Sequence, residues 1–256
     1  MTTSALARSV VATAAVTALL GSTTALAASG RAAGAMAGAP ELGACTTLTS
    51  AQAAAPNDES TVVPCGQPHT AYVAAVVRLP AALDWDTATK KDLRRVVAGR
   101  CAPNVLEALG PASWARADRT AYDYVFFQPT TDQVTAGARW LSCSIVLRQG
   151  AKLAALPRRH APFVRGATLG DAIARCLTGG ILRTTCGTAH AWRATGTFAV
   201  KAATRPSATS LDKTAARRCV PLVDPHKRYF RFTYPDPITW AGAGDHVVVC
   251  YSKTHQ

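Results

Sequence analysis

The chain has 256 residues, of which 48% are hydrophobic and 17% are charged. This apolar content can build one ordinary domain or two small ones and excludes wholesale disorder. With 28 Lys and Arg residues against 15 Asp and Glu, the formal net charge is +13. Such a charge favours anionic partners, which outside the cytoplasm are anionic lipids, wall polymers carrying phosphate or carboxylate groups, and acidic proteins.

The first residues carry the pattern of an export signal. Residues 1–27 contain one basic residue, Arg8, then the apolar run Val10–Leu20 and an A-x-A cleavage site ending at Ala27. This pattern is typical of a cleaved secretory signal peptide, and the apolar run is short for a membrane span. We therefore predict a secreted or extracytoplasmic envelope protein, for which nucleic acid is a disfavoured partner and peripheral membrane contact stays open. The Ala- and Gly-rich residues 28–40 are predicted to be a flexible mature N-terminus.

An internal repeat organises the remainder of the chain. The stretch Cys65-Gly66-Gln67-Pro68-His69-Thr70-Ala71-Tyr72 is matched later by Cys186-Gly187-Thr188-Ala189-His190-Ala191-Trp192. In both copies a helix-like segment precedes the next cysteine, two strand-like runs follow, and a glycine stands six positions before the last cysteine. The order of these features is the same in both copies, which predicts a duplicated unit.

The predicted elements of the first copy begin with a helix before Cys101. Leu93, Val96 and Val97 fall on one face of this segment, and Thr89 and Asp92 are placed to cap its start. Two strands are predicted after it, at Tyr122–Gln128 and Arg139–Leu147.

In the second copy, the predicted helix carries Leu211, Ala215 and Cys219 on one face, with Ser210 as the N-cap. The strands that follow are predicted at Tyr229–Tyr234 and His246–Tyr251. Together these patterns predict an α+β fold of two small disulfide-stapled domains, each a small antiparallel sheet with a packed helix. We place the domains at residues 41–148 and 168–256, with a basic linker at residues 149–167.

Eight cysteines, an even number in an exported chain, indicate a disulfide framework. The simplest pairing is local, although crossed pairings stay open. The bonds from the third to the fourth cysteine of each unit, which join helix to sheet and close loops of some tens of residues, are each expected to stabilise the fold by roughly 3–4 kcal/mol. The predicted bonds are Cys45–Cys65, Cys101–Cys143, Cys176–Cys186 and Cys219–Cys250.

Both halves resemble the septum formation domain family, whose members are small exported or membrane-tethered modules of actinobacteria. The first half carries Gly43-Ala44-Cys45, Val63-Pro64-Cys65-Gly66-Gln67-Pro68-His69, Pro129, Gly137, Arg139 and Cys143. The second half keeps Cys186, His190, Trp240, Gly244, Asp245 and Cys250. Departures from the family pattern include Tyr72 in place of Glu and Ala189 in place of Pro. The resemblance implies a link to septation or envelope growth, and it implies no reaction and no catalytic residues.

Chemical roles for Cys65 and His69 are weaker predictions than a structural one. Zinc needs about four ligands with free thiolates, and this pair supplies two without finger or ribbon spacing. A thiol nucleophile would need a cysteine outside a disulfide, yet Cys65 and Cys186 both have local partners. We expect no metal, no cofactor and no catalytic residue, and we interpret both histidines as side chains that hold the backbone where a strand begins.

A hydrolase is the alternative from another class of function. The sequence has no G-x-S-x-G motif, and its adjacent acidic pairs, Asp58–Glu59 and Asp84–Asp86, lie in predicted loops. A pair of carboxylates distant in sequence stays open.

We predict a non-enzymatic binding module that recognises an anionic wall polymer or an envelope or division protein. A wall-active hydrolase with an unrecognised site and a structural interaction spacer are the alternatives. The candidate ligand-contacting residues are His69, His190, Arg139, Arg158, Arg159 and Arg165.

Overall fold

Two antiparallel sheets, one in each half of the chain, form the framework of the protein. The computed structural model describes residues 34–110, 113–166, 168–224 and 229–254. The predicted signal peptide and the first residues of the predicted flexible N-terminus lie outside the described residues. The predicted α+β fold with two disulfide-stapled sheets is confirmed.

The first half builds a six-stranded sheet against which its helices pack. Its elements are β1 (Cys45–Thr47), β2 (Thr61–Val63), β3 (Ala71–Arg78), α1 (Lys90–Val96), α2 (Ala102–Leu109), α3 (Trp114–Ala117), β4 (Tyr122–Phe127), α4 (Thr131–Thr135), β5 (Trp140–Gln149) and β6 (Lys152–Ala154). A π-helical turn, Val97–Cys101, joins α1 to α2. The strand order is β2-β1-β3-β5-β4, with β6 added on β5.

The second half repeats this topology. Its elements are β7 (Arg175–Leu177), β8 (Arg183–Thr185), β9 (Trp192–Ala199), α5 (Ala208–Cys219), β10 (Phe230–Thr233), α6 (Pro237–Ala243) and β11 (Val247–Lys253). The strand order is β10-β11-β9-β7-β8. Read from its other edge, this is the order of the first sheet, so the repeat in the sequence corresponds to a duplicated fold.

The central strand β5 explains why its sequence is apolar almost throughout. Leu141, Cys143 and Ile145 pack with the helices, while Val146 joins a smaller cluster that includes Phe127. Because both faces of the sheet are covered at this strand, residues that point to either face are buried. The strand β11 holds the equivalent central place in the second sheet.

All eight cysteines form the four predicted local disulfides. Cys101 ties the π-helical turn to Cys143 on β5, and Cys219 ties the end of α5 to Cys250 on β11. Helix is therefore stapled to sheet at the same place in both halves. Disulfides of this kind are typical of proteins outside the cytoplasm.

The two long helical segments begin with different caps. The Thr89 hydroxyl accepts a hydrogen bond from Asp92 N at 3.2 Å, and the Asp92 carboxylate accepts one from Thr89 N, which confirms the predicted capping box. The predicted N-cap Ser210 is wrong. Helix α5 begins one turn earlier, where the Ser207 hydroxyl accepts a hydrogen bond from Ser210 N at 3.2 Å. Both serines offer the same capping chemistry, and Pro206 just before Ser207 disfavours a still earlier start.

Residues 149–166, the described part of the predicted basic linker 149–167, are largely packed on the first half. The strand β6 pairs with β5, and Leu156, Phe163 and Val164 are buried in the first core. The ring centroids of Phe163 and Tyr72 lie 5.1 Å apart, edge to face. An irregular segment buries its apolar residues one at a time, so no periodicity marks them in the sequence.

The described part of the predicted flexible N-terminus is also held in place. Trp140 Nε1 donates a hydrogen bond to Ala37 O at 2.9 Å, and Arg139 N donates one to Ala35 O at 2.8 Å. At Gly38, where φ is 67°, a Cβ would collide with the Gln133 side chain. The small residues of this stretch allow its backbone to approach α4 and β5 closely.

The two halves meet through direct contacts between their elements. Trp114 Nε1 donates a hydrogen bond to Ala243 O at 3.1 Å, and Thr197 Oγ1 donates one to Ala115 O at 3.1 Å. Helix α6 packs on the π-helical turn, where Gly242 faces Ala98. From Ala32 onward the chain forms one compact unit. No helix among the described residues is long and apolar enough to cross a membrane.

Candidate functional site

A cleft of about 510 Å³ lies between the two halves and is lined by both. The first half contributes the π-helical turn, α2, the end of α3 and β4, and the second contributes β7, β8, the loop after β10, α6 and β11. Its charged lining residues are Arg94, Asp118, Asp123, Arg175, Arg183, Asp236 and Asp245, and its aromatic ones are Trp114, Tyr122, Tyr124, Phe126 and Tyr234. Its volume is in the range of small-molecule sites in proteins.

Two carboxyl groups, one from each half, meet in this cleft. Asp118 follows the last residue of α3, and Asp245 follows Gly244, which ends α6 with φ of 63°. Asp245 is 5% exposed, and its Oδ1 accepts a hydrogen bond from Val247 N at 3.0 Å. The Asp118 and Asp245 carboxyl groups are close enough for the charge of Asp118 to raise the pKa of Asp245.

The environment of this pair favours one retained proton. Burial, followed by the charge of Asp118, raises the pKa of Asp245 to about 8. Burial also raises the pKa of Asp118, although the positive charge of Arg175 opposes it. Two carboxylates in contact cannot both ionise cheaply in a poorly hydrated place. Near neutral pH, Asp245 therefore keeps its proton.

Arg175 is the guanidinium nearest to the pair. It is 8% exposed, its Nη1 lies 3.6 Å from Asp118 Oδ1, and the same nitrogen donates a hydrogen bond to Asp118 O at 3.1 Å. Its guanidinium carbon lies 5.7 Å from the ring centroid of Tyr251. Burial, and after it the charge of Arg183, lowers the pKa of Arg175. These contacts fix the guanidinium as a rigid donor in the cleft wall.

A second ion-pair group lies at the ends of β4 and β8. Arg183 Nη1 donates a hydrogen bond to Tyr122 O at 2.6 Å and lies 3.4 Å from Asp123 Oδ1, while Arg148 Nε donates to Asp123 Oδ2 at 2.9 Å. Burial disfavours ionisation of Asp123, but the two guanidinium groups outweigh burial and hold its pKa below the usual value. Burial raises the pKa of Tyr124 to about 12, so its hydroxyl is a neutral donor.

The mouth of the cleft is bridged by an ion pair between the halves. Arg94 Nη2 donates a hydrogen bond to Asp236 Oδ2 at 3.0 Å, and the two side chains are 44% and 43% exposed. Asp236 is also the N-cap of α6 and accepts a hydrogen bond from Ile238 N at 2.9 Å. This part of the cleft lining is therefore in contact with solvent.

The charges of the cleft balance. Four carboxyl groups and three guanidinium groups line it, and Asp245 keeps its proton near neutral pH. The described lining residues therefore carry a net charge near zero at neutral pH. This favours a polar, uncharged ligand over a polyanion.

The residues predicted as ligand contacts lie elsewhere. His69 Nδ1 donates a hydrogen bond to Gln67 O at 2.8 Å, and His190 Nδ1 donates one to Thr188 O at 2.7 Å. Both histidines are buried. The same geometry in both copies is what a histidine that holds the backbone requires, and it leaves neither ring facing the cleft.

The predicted arginines are bound to backbone or exposed. Arg139 Nη2 donates hydrogen bonds to Pro80 O and Leu83 O. Arg159 Nη2 donates to Phe163 O at 3.0 Å, Arg165 Nε donates to Pro162 O at 3.3 Å, and Arg158 is exposed. None of these four belongs to the described lining of the cleft.

Cys176, Cys186 and His190 bring three potential metal-ligand atoms within 4.8 Å of one another. The two sulfur atoms are bonded to each other, so neither is a thiolate that could bind zinc. Cys65, beside His69, is bonded in the same way to Cys45. These groups therefore do not fit a metal.

Among the charged residues that line the cleft, the sequence patterns identified only Asp245, without giving it a role. Asp245 is part of the Gly-Asp element that the family resemblance includes, whereas Asp118 belongs to no repeated motif. The adjacent acidic pairs form local turns instead: Asp58 accepts a hydrogen bond from Ser60 N, and Asp84 accepts one from Asp86 N. The carboxyl pair could not be recognised because its members are far apart in the sequence and meet only when the halves pack together.

No protein-family model, curated protein or solved structure matches this chain. The resemblance to the septum formation domain family stays a prediction from the quoted motifs.

Proposed function

We propose that this chain is an exported, non-enzymatic binding protein of the cell envelope that holds a saccharide unit of a wall polymer in the cleft between its halves. The observation that carries the proposal is a cleft of about 510 Å³ in which charged groups balance and aromatic side chains line the wall. Pockets of this kind use a few fixed polar groups for orientation and apolar surface for affinity. Septation or envelope growth is the process in which we expect this binding to serve.

The saccharide class follows from the lining. Carboxyl, guanidinium and phenol groups supply both acceptors and donors, which suits a ligand rich in hydroxyl groups. Phe126 and Trp114 supply ring surface against which a sugar ring can pack. A polyanion would meet as many negative charges as positive ones, which gives it no electrostatic advantage in this cleft.

The duplicated fold provides a matched test. Phe126 on β4 is opposite Cys143, and Phe232 on β10 is opposite Cys250, so the two occupy equivalent positions. Phe126 lines the cleft and Phe232 does not. In calorimetric titrations of the oxidised protein with neutral oligosaccharides from purified cell walls, we expect Phe126→Ala to weaken binding about tenfold, which corresponds to about 1.4 kcal/mol. The variant Phe232→Ala should bind as the wild type does. Equal loss in both variants, or no binding by the wild type, would contradict the proposal.

A second candidate function is hydrolysis, which the Asp118–Asp245 pair favours. Two neighbouring carboxyl groups, one of them protonated near neutral pH, offer a general acid and a general base at one place. The two carboxyl groups line the same cleft, and each affects the pKa of the other. The chemistry that this arrangement suits is attack of water on an amide or ester carbonyl, with the ionised group as base.

The two candidates are separated by conservative changes in the pair. If the chain is a hydrolase, purified wall fragments should be cleaved by the wild type, and Asp118→Asn or Asp245→Asn should abolish release of new fragments detected by mass spectrometry. If the chain only binds, no new fragments appear with any of the three proteins, while oligosaccharide binding persists in the wild type.

A further inference from the structure

A second depression, on a different part of the surface, carries an excess of positive charge. It measures about 600 Å³ and lies between α3 with the residues just after it, the segment 168–174, and β9. Its guanidinium groups belong to Arg116, Arg119 and Arg193. No carboxylate is among its described lining residues. We call it the arginine groove.

Two of these arginines have charges that the protein does not neutralise. Arg193 Nη2 contacts Asp171 Oδ1 at 2.6 Å and is paired. Arg116 and Arg119 form no ion pair with a described residue, and Arg116 Nε is buried without a hydrogen-bond partner. A buried guanidinium nitrogen without an acceptor is costly unless a ligand or water supplies one.

The lining of the groove is suited to an anionic chain. Ser113, Thr168 and Thr197 add hydroxyl groups beside the arginines. All three cationic residues are arginines, whose planar guanidinium groups bind two oxygens of a phosphate or carboxylate at once. Both halves of the chain contribute, so the groove exists only when they are packed together.

We propose that the arginine groove binds an oxyanion-bearing polymer chain, through contacts of Arg116 and Arg119 with its phosphate or carboxylate groups. This site is distinct from the cleft, whose charges are balanced, and it does not depend on saccharide binding there. The chain's overall charge of +13 attracts such polymers to the protein, and the groove is where two guanidinium groups are free to hold them.

The test compares two pairs of arginines with the same loss of charge. Binding of labelled polyphosphate and of labelled poly-glutamate to the oxidised protein is measured by fluorescence anisotropy at low and at high salt. We expect the double variant Arg116→Gln/Arg119→Gln to weaken binding about tenfold or more, because each lost contact is a charge-assisted hydrogen bond. The control variant Arg158→Gln/Arg165→Gln should bind within about twofold of the wild type, since it removes equal charge from the segment between the halves.

A single variant separates a loss of binding from a folding defect. Arg119 is exposed, so Arg119→Glu should leave the melting temperature unchanged and still weaken binding. Stronger loss with polyphosphate than with poly-glutamate identifies phosphate as the preferred oxyanion, and the reverse identifies carboxylate. Wild-type affinity in the groove variants, or an equal loss in the Arg158/Arg165 control, would overturn the proposal. If Phe126→Ala did not affect oligosaccharide binding, the proposal for the cleft would be contradicted. The proposal for the arginine groove would not be affected.

Discussion

Asp245 is a carboxyl group whose position in the folded chain disfavours its ionisation. Its side chain is buried, and the charge of another carboxyl group, Asp118, acts on it. An ionised carboxylate in such a place is strongly disfavoured, so the folded chain keeps a proton that the unfolded chain would release. The backbone hydrogen bond from Val247 N holds the side chain in this position all the same.

The raised pKa of Asp245 predicts that stability falls as pH rises. The pKa is 3.8 for an ordinary aspartate and about 8 in the folded protein, so between these values the folded state binds the extra proton. The free energy of unfolding should therefore decrease from about pH 4 to pH 8, with a slope from this group of up to about 1.4 kcal/mol per pH unit.

The substitution Asp245→Asn should flatten that slope, because the amide cannot ionise and its oxygen can still accept from Val247 N. Urea unfolding at several pH values measures the slope. The exposed carboxylate Asp86, changed to Asn, is the control and should leave the slope as in the wild type. An equal slope in Asp245→Asn and wild type would show that another group binds the proton.

Among the helices and strands, the sequence predicted the features that depend on residues close together in the chain. The cysteine contexts, the capping box of Thr89 and Asp92, and the glycine before each final strand act within a few residues, so their repetition predicted two similar units. Strand positions agree within about two residues: the prediction Tyr122–Gln128 is observed as Tyr122–Phe127, and His246–Tyr251 as Val247–Lys253.

Elements fixed by tertiary contacts were not predicted. Leu156, Phe163 and Val164 are buried in a segment without regular periodicity, and only the first core makes them interior residues. The cleft forms only where the two halves pack together, so the sequence of one repeat does not predict it. The start of α5 was predicted only in part. Ser207 and Ser210 can each act as an N-cap, and Ser207 is the cap because the helix begins one turn earlier than predicted.

The corrected N-cap of α5 can be tested by a matched pair of substitutions. Ser207→Ala removes the hydroxyl that accepts from Ser210 N and should lower the free energy of unfolding by about 1 kcal/mol. Ser210→Ala keeps that backbone donor and alters an exposed position inside the helix, so it should change stability by less than about 0.5 kcal/mol. Thermal unfolding of the oxidised proteins gives both values. A larger loss of unfolding free energy for Ser210→Ala than for Ser207→Ala would indicate that Ser210 is the N-cap.

For the whole molecule, the contact between α6 and the π-helical turn is one of the places where the two halves pack together. Gly242 lies where any side chain would meet Ala98: a Cβ there would be 2.7 Å from Ala98 Cβ and 3.3 Å from Gly99 N. The cleft and the arginine groove are both lined by both halves. A change at this single contact is therefore expected to reach both sites.

Replacing Gly242 by Val should separate the halves without unfolding either sheet. Overpacking of this kind costs about 1–3 kcal/mol, whereas the disulfides within each half remain intact. We expect a lower melting temperature, faster amide hydrogen exchange along α6 and β8, and weaker binding of both oligosaccharide and polyanion. The control Gly66→Ala meets nothing within 4 Å and should match the wild type in all these measurements. If Gly242→Val kept both affinities while the exchange of α6 increased, the two sites would not depend on the packing of the halves.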